Sequence, residues 1–125
     1  MSSCIQKILW ICVLMLLFVH NVLGVRVSIS NTLVSYSDLT VHCKSGDDDL
    51  GVRVLPFSKG FDWKFHDNFF DTTLFYCSFA WKDQLHWFDV YKSTRDDCKE
   101  CDWAISEQGP LKIWNDHLYQ FPWKK

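Results

Sequence analysis

After residue 23 the chain has no long apolar run, so nothing beyond that point is read as a membrane-spanning helix. It has no basic stripe, which argues against nucleic acid or an anionic membrane as the main partner. It has no Asn-x-Ser/Thr acceptor: Asn31 is followed by Thr-Leu, Asn68 by Phe-Phe and Asn115 by Asp-His, so N-glycosylation is not expected. No internal repeat, low-complexity linker, lipidation signal or retention signal is present, and no helix-period pattern stands out after the first 24 residues.

What is present begins with ILWICVLMLLFV at positions 8–19, preceded by Lys7 and followed by Val22-Leu23-Gly24. A basic start, a short apolar core and small or aliphatic residues at the end are the pattern of a secretory signal peptide. The run is too short for an anchor, which needs about 20 residues. The expected organisation is therefore a cleaved leader at 1–24 and one mature domain at 25–125, secreted to the extracellular space. Cleavage removes Lys7 and shifts the formal charge from −2 to −3. Cys4 and Cys12 leave with the leader, while Cys43, Cys77, Cys98 and Cys101 remain.

Four cysteines in a small secreted chain read as two disulfides. A four-cysteine zinc site usually shows two close pairs, and only Cys98-Lys99-Glu100-Cys101 is close. A thioredoxin-like role for that pair lacks the strand–CxxC–helix context. Cys77 and Cys98 flank one hairpin and are expected to pair, leaving Cys43 with Cys101. The exchanged pairing, Cys43 with Cys98 and Cys77 with Cys101, is nearly as favourable.

Alternation of apolar and polar residues appears in eight runs: 25–31, 39–44, 50–55, 61–65, 73–81, 86–91, 101–105 and 110–114. Period-2 alternation marks strands with one buried face. Turn residues separate the runs, at 35–38, 46–49, 56–60, 66–71, 82–84, 93–97 and 108–109. Short strands at this spacing predict an all-β fold, a small antiparallel β-sandwich of about eight strands stapled by two disulfides.

The Gly46-Asp47-Asp48-Asp49 stretch lies between two such runs and reads as a hairpin turn. It lacks the calcium-loop pattern, so no metal and no cofactor are expected. His42, His66, His86 and His117 show no grouping of the kind a two-histidine ribonuclease needs. His42, one residue out of phase with Cys43, reads as a half-buried or surface strand residue. The carboxylates Asp62, Asp96 and Asp97, with the triple aspartate, read as solvated turn residues rather than a glycosidase pair, and no cleft is expected to hold them. Trp63 and Trp103 fall on strand alternation and read as core. Trp87 and Phe88 are adjacent, so one of them faces out; with Trp123 near the basic end, an outward tryptophan patch is expected.

Taken together, LTVHCKSGDDDLG at 39–51, FDWKF at 61–65, TLFYCSF at 73–79, FDVY at 88–91 leading through Arg95-Asp96 to Cys98, and CDWAI at 101–105 with Gly109 after it resemble the plant self-incompatibility S-protein family. The likeness covers essentially the whole chain after the leader. It implies a secreted β-sandwich with two intramolecular disulfides. It also implies a non-enzymatic ligand, monomeric, that meets a membrane receptor protein on another cell, with polar loops carrying recognition. On that reading Lys82, Asp83 and Gln84, between two aromatic-rich strands, are the candidate partner-binding residues. A carbohydrate-binding or defence protein of the apoplast is the alternative.

Overall fold

The computed structural model describes residues 2–22, 24–66 and 72–124, with the side chains of residue 2 and residues 17–22 left aside. The break expected at 66–71 lies, from 67 on, outside the described residues. One helix, α1 (Ser2–Val22), covers the expected leader. Its described side chains are exposed and none joins the hydrophobic core. Among the described residues no helix is long and apolar enough to cross a membrane.

Nine strands follow: β1 (Gly24–Asn31), β2 (Leu39–Lys44), β3 (Asp49–Leu55), β4 (Gly60–His66), β5 (Leu74–Trp81), β6 (Gln84–Lys92), β7 (Glu100–Ser106), β8 (Gly109–Trp114) and β9 (His117–Gln120). They form a five-stranded sheet ordered β4-β1-β7-β8-β9 and a four-stranded sheet ordered β3-β2-β5-β6. The all-β sandwich read from the alternation is the fold observed. The described pairings are antiparallel except that of β1 with β7, which is parallel.

The period-2 pattern assigns the faces. In β1, Val25, Val27 and Ile29 turn inward and are buried, while Arg26 faces out. In β5, Phe75, Cys77, Phe79 and Trp81 do the same. Each such side chain contributes about 1.5–3 kcal/mol on full burial. Two irregularities adjust the pattern. β6 carries an extra residue opposite the Phe75/Tyr76 step, and this bulge lets both Val90 and Tyr91 face the core. β3 shifts register beside Lys44, where Gly51 takes φ 79°, a conformation that costs a residue with a Cβ.

Asn31 ends β1 inside the core, fully buried yet satisfied. Its Nδ2 donates to the carbonyls of Ser37 (2.8 Å) and Leu55 (2.9 Å), and its Oδ1 accepts from the Leu33 N–H (3.0 Å). One side chain thus ties the β1–β2 connection to the end of β3. Glu107, in the turn between β7 and β8, holds the same connection, its carboxylate accepting the N–H groups of Val34 and Ser35.

The ninth strand, β9, is an addition to the eight expected. Its four residues are all exposed, so it has no alternation to read. Its turn has the positive φ at both Asn115 and Asp116 that two-residue hairpins favour. After β9 the chain runs on beside β8: the Phe121 N–H donates to the Pro110 carbonyl (2.9 Å), and Gly109, at φ 137°, leaves room for the Phe121 carbonyl where a Cβ would overlap it.

All four cysteines outside α1 are in disulfides, but the pairing is Cys43–Cys77 and Cys98–Cys101. Both pairings expected from chain proximity are wrong. The reason is register: β2 and β5 are neighbours and place Cys43 directly opposite Cys77 on the buried face, with Cα atoms 4.0 Å apart. Cys98 then closes a short loop onto Cys101 at the start of β7, both buried. Peptide mapping under non-reducing conditions is expected to recover these two pairs, and a peptide joining Cys43 to Cys98 or Cys101 would contradict the fold. Replacing both cysteines of the Cys43–Cys77 bridge is expected to cost about 4 kcal/mol, and of the short Cys98–Cys101 loop about 2 kcal/mol, as read by urea denaturation.

Candidate recognition site

The hairpin of β5 and β6 closes between Trp81 and Gln84, so its turn is two residues, Lys82 and Asp83. Lys82 takes φ 50°. Both turn residues are exposed, and the strand residue at the turn's base, Trp81, is buried. Trp81 packs at 5.2 Å on the His86 ring and 5.9 Å on Trp123. Trp123 in turn stacks on His86 at 4.6 Å with 14° between planes. The turn therefore stands on an aromatic stack rather than on a mobile loop.

Gln84 has a different place from its two neighbours. It belongs to β6, and its Oε1 accepts from His86 Nε2–H at 3.0 Å. Burial lowers the His86 pKa from its ordinary value of 6.5 and favours the neutral ring. Of the adjacent pair, Trp87 faces out, 53% exposed, with Phe88 turned inward. Trp123 does not join it. The residue packs half-buried against Phe79, Trp81 and His86, because the segment after β9 runs on beside β8 and carries it onto the core. Trp103 is core as read, and Trp63 is partly buried, packed against the core cluster through Phe75.

Asp96 corrects the reading of the carboxylates as solvated. It is buried, and Arg95 Nη2 (2.7 Å), Lys112 Nζ (3.0 Å) and the Lys92 N–H (2.8 Å) donate to its carboxylate. The Arg95 guanidinium also donates to the Asp89 carbonyl and lies over the Phe88 and Trp103 rings. Burial by itself raises the Asp96 pKa. The hydrogen bonds from Arg95, the Lys92 N–H and Lys112 outweigh it and hold the group below its ordinary 3.8. This cluster pins the β6–β7 connection to the five-stranded sheet. Asp62 is not in a turn either: it lies on β4, paired with Arg26 at 2.6 Å.

The acidic stretch is a turn as read. Ser45 N–H donates to the Asp48 carbonyl (2.8 Å), and Ser45 Oγ accepts from the Asp48 N–H (3.1 Å). Asp49 opens β3. Its carboxylate accepts the Gly51 N–H (2.9 Å) and meets His42 Nε2 (2.6 Å), and these two partners lower its pKa. A cleft of about 460 Å³ does lie beside the turn, lined by Asp47, Asp48, His66 and Tyr76 among others. Its two carboxylates are sequence neighbours in one turn, not an opposed pair across a substrate. His42 is half-buried on the outer face of the four-stranded sheet, His86 lies on that sheet's inner side and His117 is on β9, so these three imidazoles are not brought together. Among the described residues no group of three or more His, Cys, Asp or Glu side chains is placed to hold a metal ion.

The disulfide-stapled sandwich, with its two-residue polar turn standing on buried aromatics, places the molecule in a class of small β proteins whose loops are displayed by a rigid frame. The family model "Plant self-incompatibility protein S1" matches residues 26–123, and the chain belongs to that family. It is 43% identical over 94 residues to S-protein homolog 5 of Arabidopsis thaliana, covering 74% of this chain and 73% of the relative. It is 40% identical over 110 residues to S-protein homolog 2 of the same plant, covering 79% and 68%. A solved structure of SPH (Self-Incompatibility Protein Homologue) proteins, described as a widespread family of small, highly stable, secreted proteins from plants, shares the fold with a TM-score of 0.56 at 19% identity, over 81% of this chain and 90% of that one.

Replacing Asp96 with Ala leaves Arg95 and Lys112 facing each other without their anion and is expected to cost about 3–5 kcal/mol at pH 7. The folded pKa lies below the unfolded one, so the carboxylate's contribution is complete above pH 3.8 and is lost as pH falls through the folded value. Urea melts of wild type and variant are therefore expected to converge as the pH drops below 3.8.

Proposed function

We propose that the protein is an extracellular recognition ligand that acts without catalysis, by presenting its polar turns to a membrane receptor on another plant cell. The observation that carries this is the Lys82-Asp83 turn. Its side chains are exposed, its geometry is held by the Trp81, His86 and Trp123 stack, and neither side chain serves the fold through a hydrogen bond or ion pair among the described residues. A turn ordered before binding loses little conformational entropy on docking. Family membership supports a secreted protein and a role of the self-incompatibility kind, in pollen–stigma recognition or in development. Lys82 and Asp83 are the contact residues in this reading, and Gln84 supports them through His86.

The test uses the oxidised protein and plasma-membrane vesicles from plant cells. Saturable binding, lost when the vesicles are treated with protease, is the expected result. The double variant Lys82→Gly, Asp83→Ser keeps the turn, because Gly accepts positive φ. It is expected to bind at least about tenfold more weakly, a loss of about 1.4 kcal/mol, with an unchanged circular dichroism spectrum and melting temperature. Equal binding by this folded variant would remove the turn from the recognition site.

A further inference from the structure

The outer face of the four-stranded sheet is open, and its side chains are unevenly distributed. The two edge strands carry the large apolar groups: Val52 and Val54 on β3, Leu85 and Trp87 on β6, between 53% and 62% exposed. The two central strands carry Thr40, Ser78 and Ala80, which are small, in register between those edges, with the half-buried His42 between Val52 and Ser78 and with Tyr76 and Leu74 further along β5. The outermost strands lie about 14 Å apart. The Val54-Thr40-Ala80-Leu85 row makes a shallow trough with apolar margins and a small floor, bounded on one side by the His42 ring, and the face is wide enough for a short oligosaccharide to lie across the strands.

One end of the trough carries hydrogen-bonding groups. Lys44, Tyr76 and Asp89 lie side by side across β2, β5 and β6. The Tyr76 and Trp87 rings sit 6.3 Å apart at 40°, an angled aromatic pair at the surface. Nearby, the Asp49 carboxylate is fixed by His42 and the Gly51 N–H. Among the described residues Asp89 and Lys44 have no ion-pair partner.

We infer that this face binds a neutral glycan chain, with a sugar ring stacked on Trp87 and its hydroxyls met by Asp89, Lys44 and the His42–Asp49 pair. Pyranose rings offer an apolar C–H face and an equatorial belt of hydroxyls, which an aromatic ring beside fixed polar groups matches. The charge on the face selects among glycans. Asp49 and Asp89 balance Lys44 and Lys92, which lies opposite Leu74 on the same face, and the chain is acidic overall, so the face holds no cationic excess for a polyuronate or an anionic lipid surface. The site is distinct from the Lys82-Asp83 turn, so either can fail without the other.

The experiment is an NMR titration of the oxidised, isotope-labelled protein with cellohexaose, a xyloglucan oligosaccharide and a mannan oligosaccharide, with polygalacturonate as the anionic control. The expected result is saturable shifts of the Trp87 indole N–H and of the Ser78 and Asp89 amides with at least one neutral chain. Trp87→Ala is expected to weaken this binding at least about tenfold while leaving the melting temperature unchanged, because the indole is exposed. The Lys82→Gly, Asp83→Ser variant is expected to bind the glycan as wild type does. No shifts with any neutral chain at millimolar concentration would overturn the proposal, as would tighter binding to polygalacturonate or equal binding by Trp87→Ala. A concentration-dependent dimer, lost in Trp87→Ala, would also overturn it by assigning the face to a second copy of the chain.

Discussion

Trp103 is the interaction around which the sandwich is organised. Among the described residues it is the largest fully buried side chain, it stands on β7 of the five-stranded sheet, and its Nε1–H donates to the Val90 carbonyl on β6 of the other sheet at 2.9 Å. Its ring meets Phe88 and Phe121 edge-on, and Arg95 and Lys112 lie over it. One side chain therefore sets the distance between the sheets, supports the returning C-terminal segment and gives the ion cluster a floor. The polar groups around it are satisfied: Asp96 neutralises the two cations, and the indole N–H has its carbonyl. Most of the polar groups drawn into this core have been given partners, with the indole N–H groups of Trp63 and Trp123 as the buried exceptions found.

From that centre the molecule divides by face. Inward residues of both sheets make the fold, together with the Cys43–Cys77 bridge across β2 and β5. Outward residues are released from folding: the tip of the β5–β6 hairpin, and the open side of the four-stranded sheet. The two surfaces meet at β6, whose first residues support the turn through His86 while Trp87 points the other way. A frame of this kind tolerates change in its displayed residues, since surface substitutions away from special contacts usually move stability by less than about 0.5 kcal/mol.

Much of this was legible in the order of residues. Period-2 runs such as Val25, Val27 and Ile29 located eight strands, and the Trp87-Phe88 adjacency required one ring outside. The resemblance carried by segments such as LTVHCKSGDDDLG and CDWAI agreed with the family found. What escaped were properties of register and return. Cys43 faces Cys77 because β2 and β5 are neighbours, and no spacing along the chain states that. Asp96 is buried because Lys112, sixteen residues later, comes back to it, whereas locally it looks like any turn aspartate. Trp123 is packed because Gly109 makes room for the chain before it. β9 is exposed at every position, so it shows no alternation. At the candidate site, the polar break at 82–84 was readable, but that Gln84 is the first residue of β6 and meets His86 on the same strand was not, and neither was the trough on the sheet, which depends on which strands are adjacent.

The division between a core organised by Trp103 and a free outer face can be measured residue by residue through indole N–H exchange with solvent, followed by NMR. The Trp103 indole proton, buried and bonded to the Val90 carbonyl, is predicted to exchange only on global unfolding, and the Trp87 indole proton is predicted to exchange far faster under the same conditions. Comparable rates for the two would contradict the account.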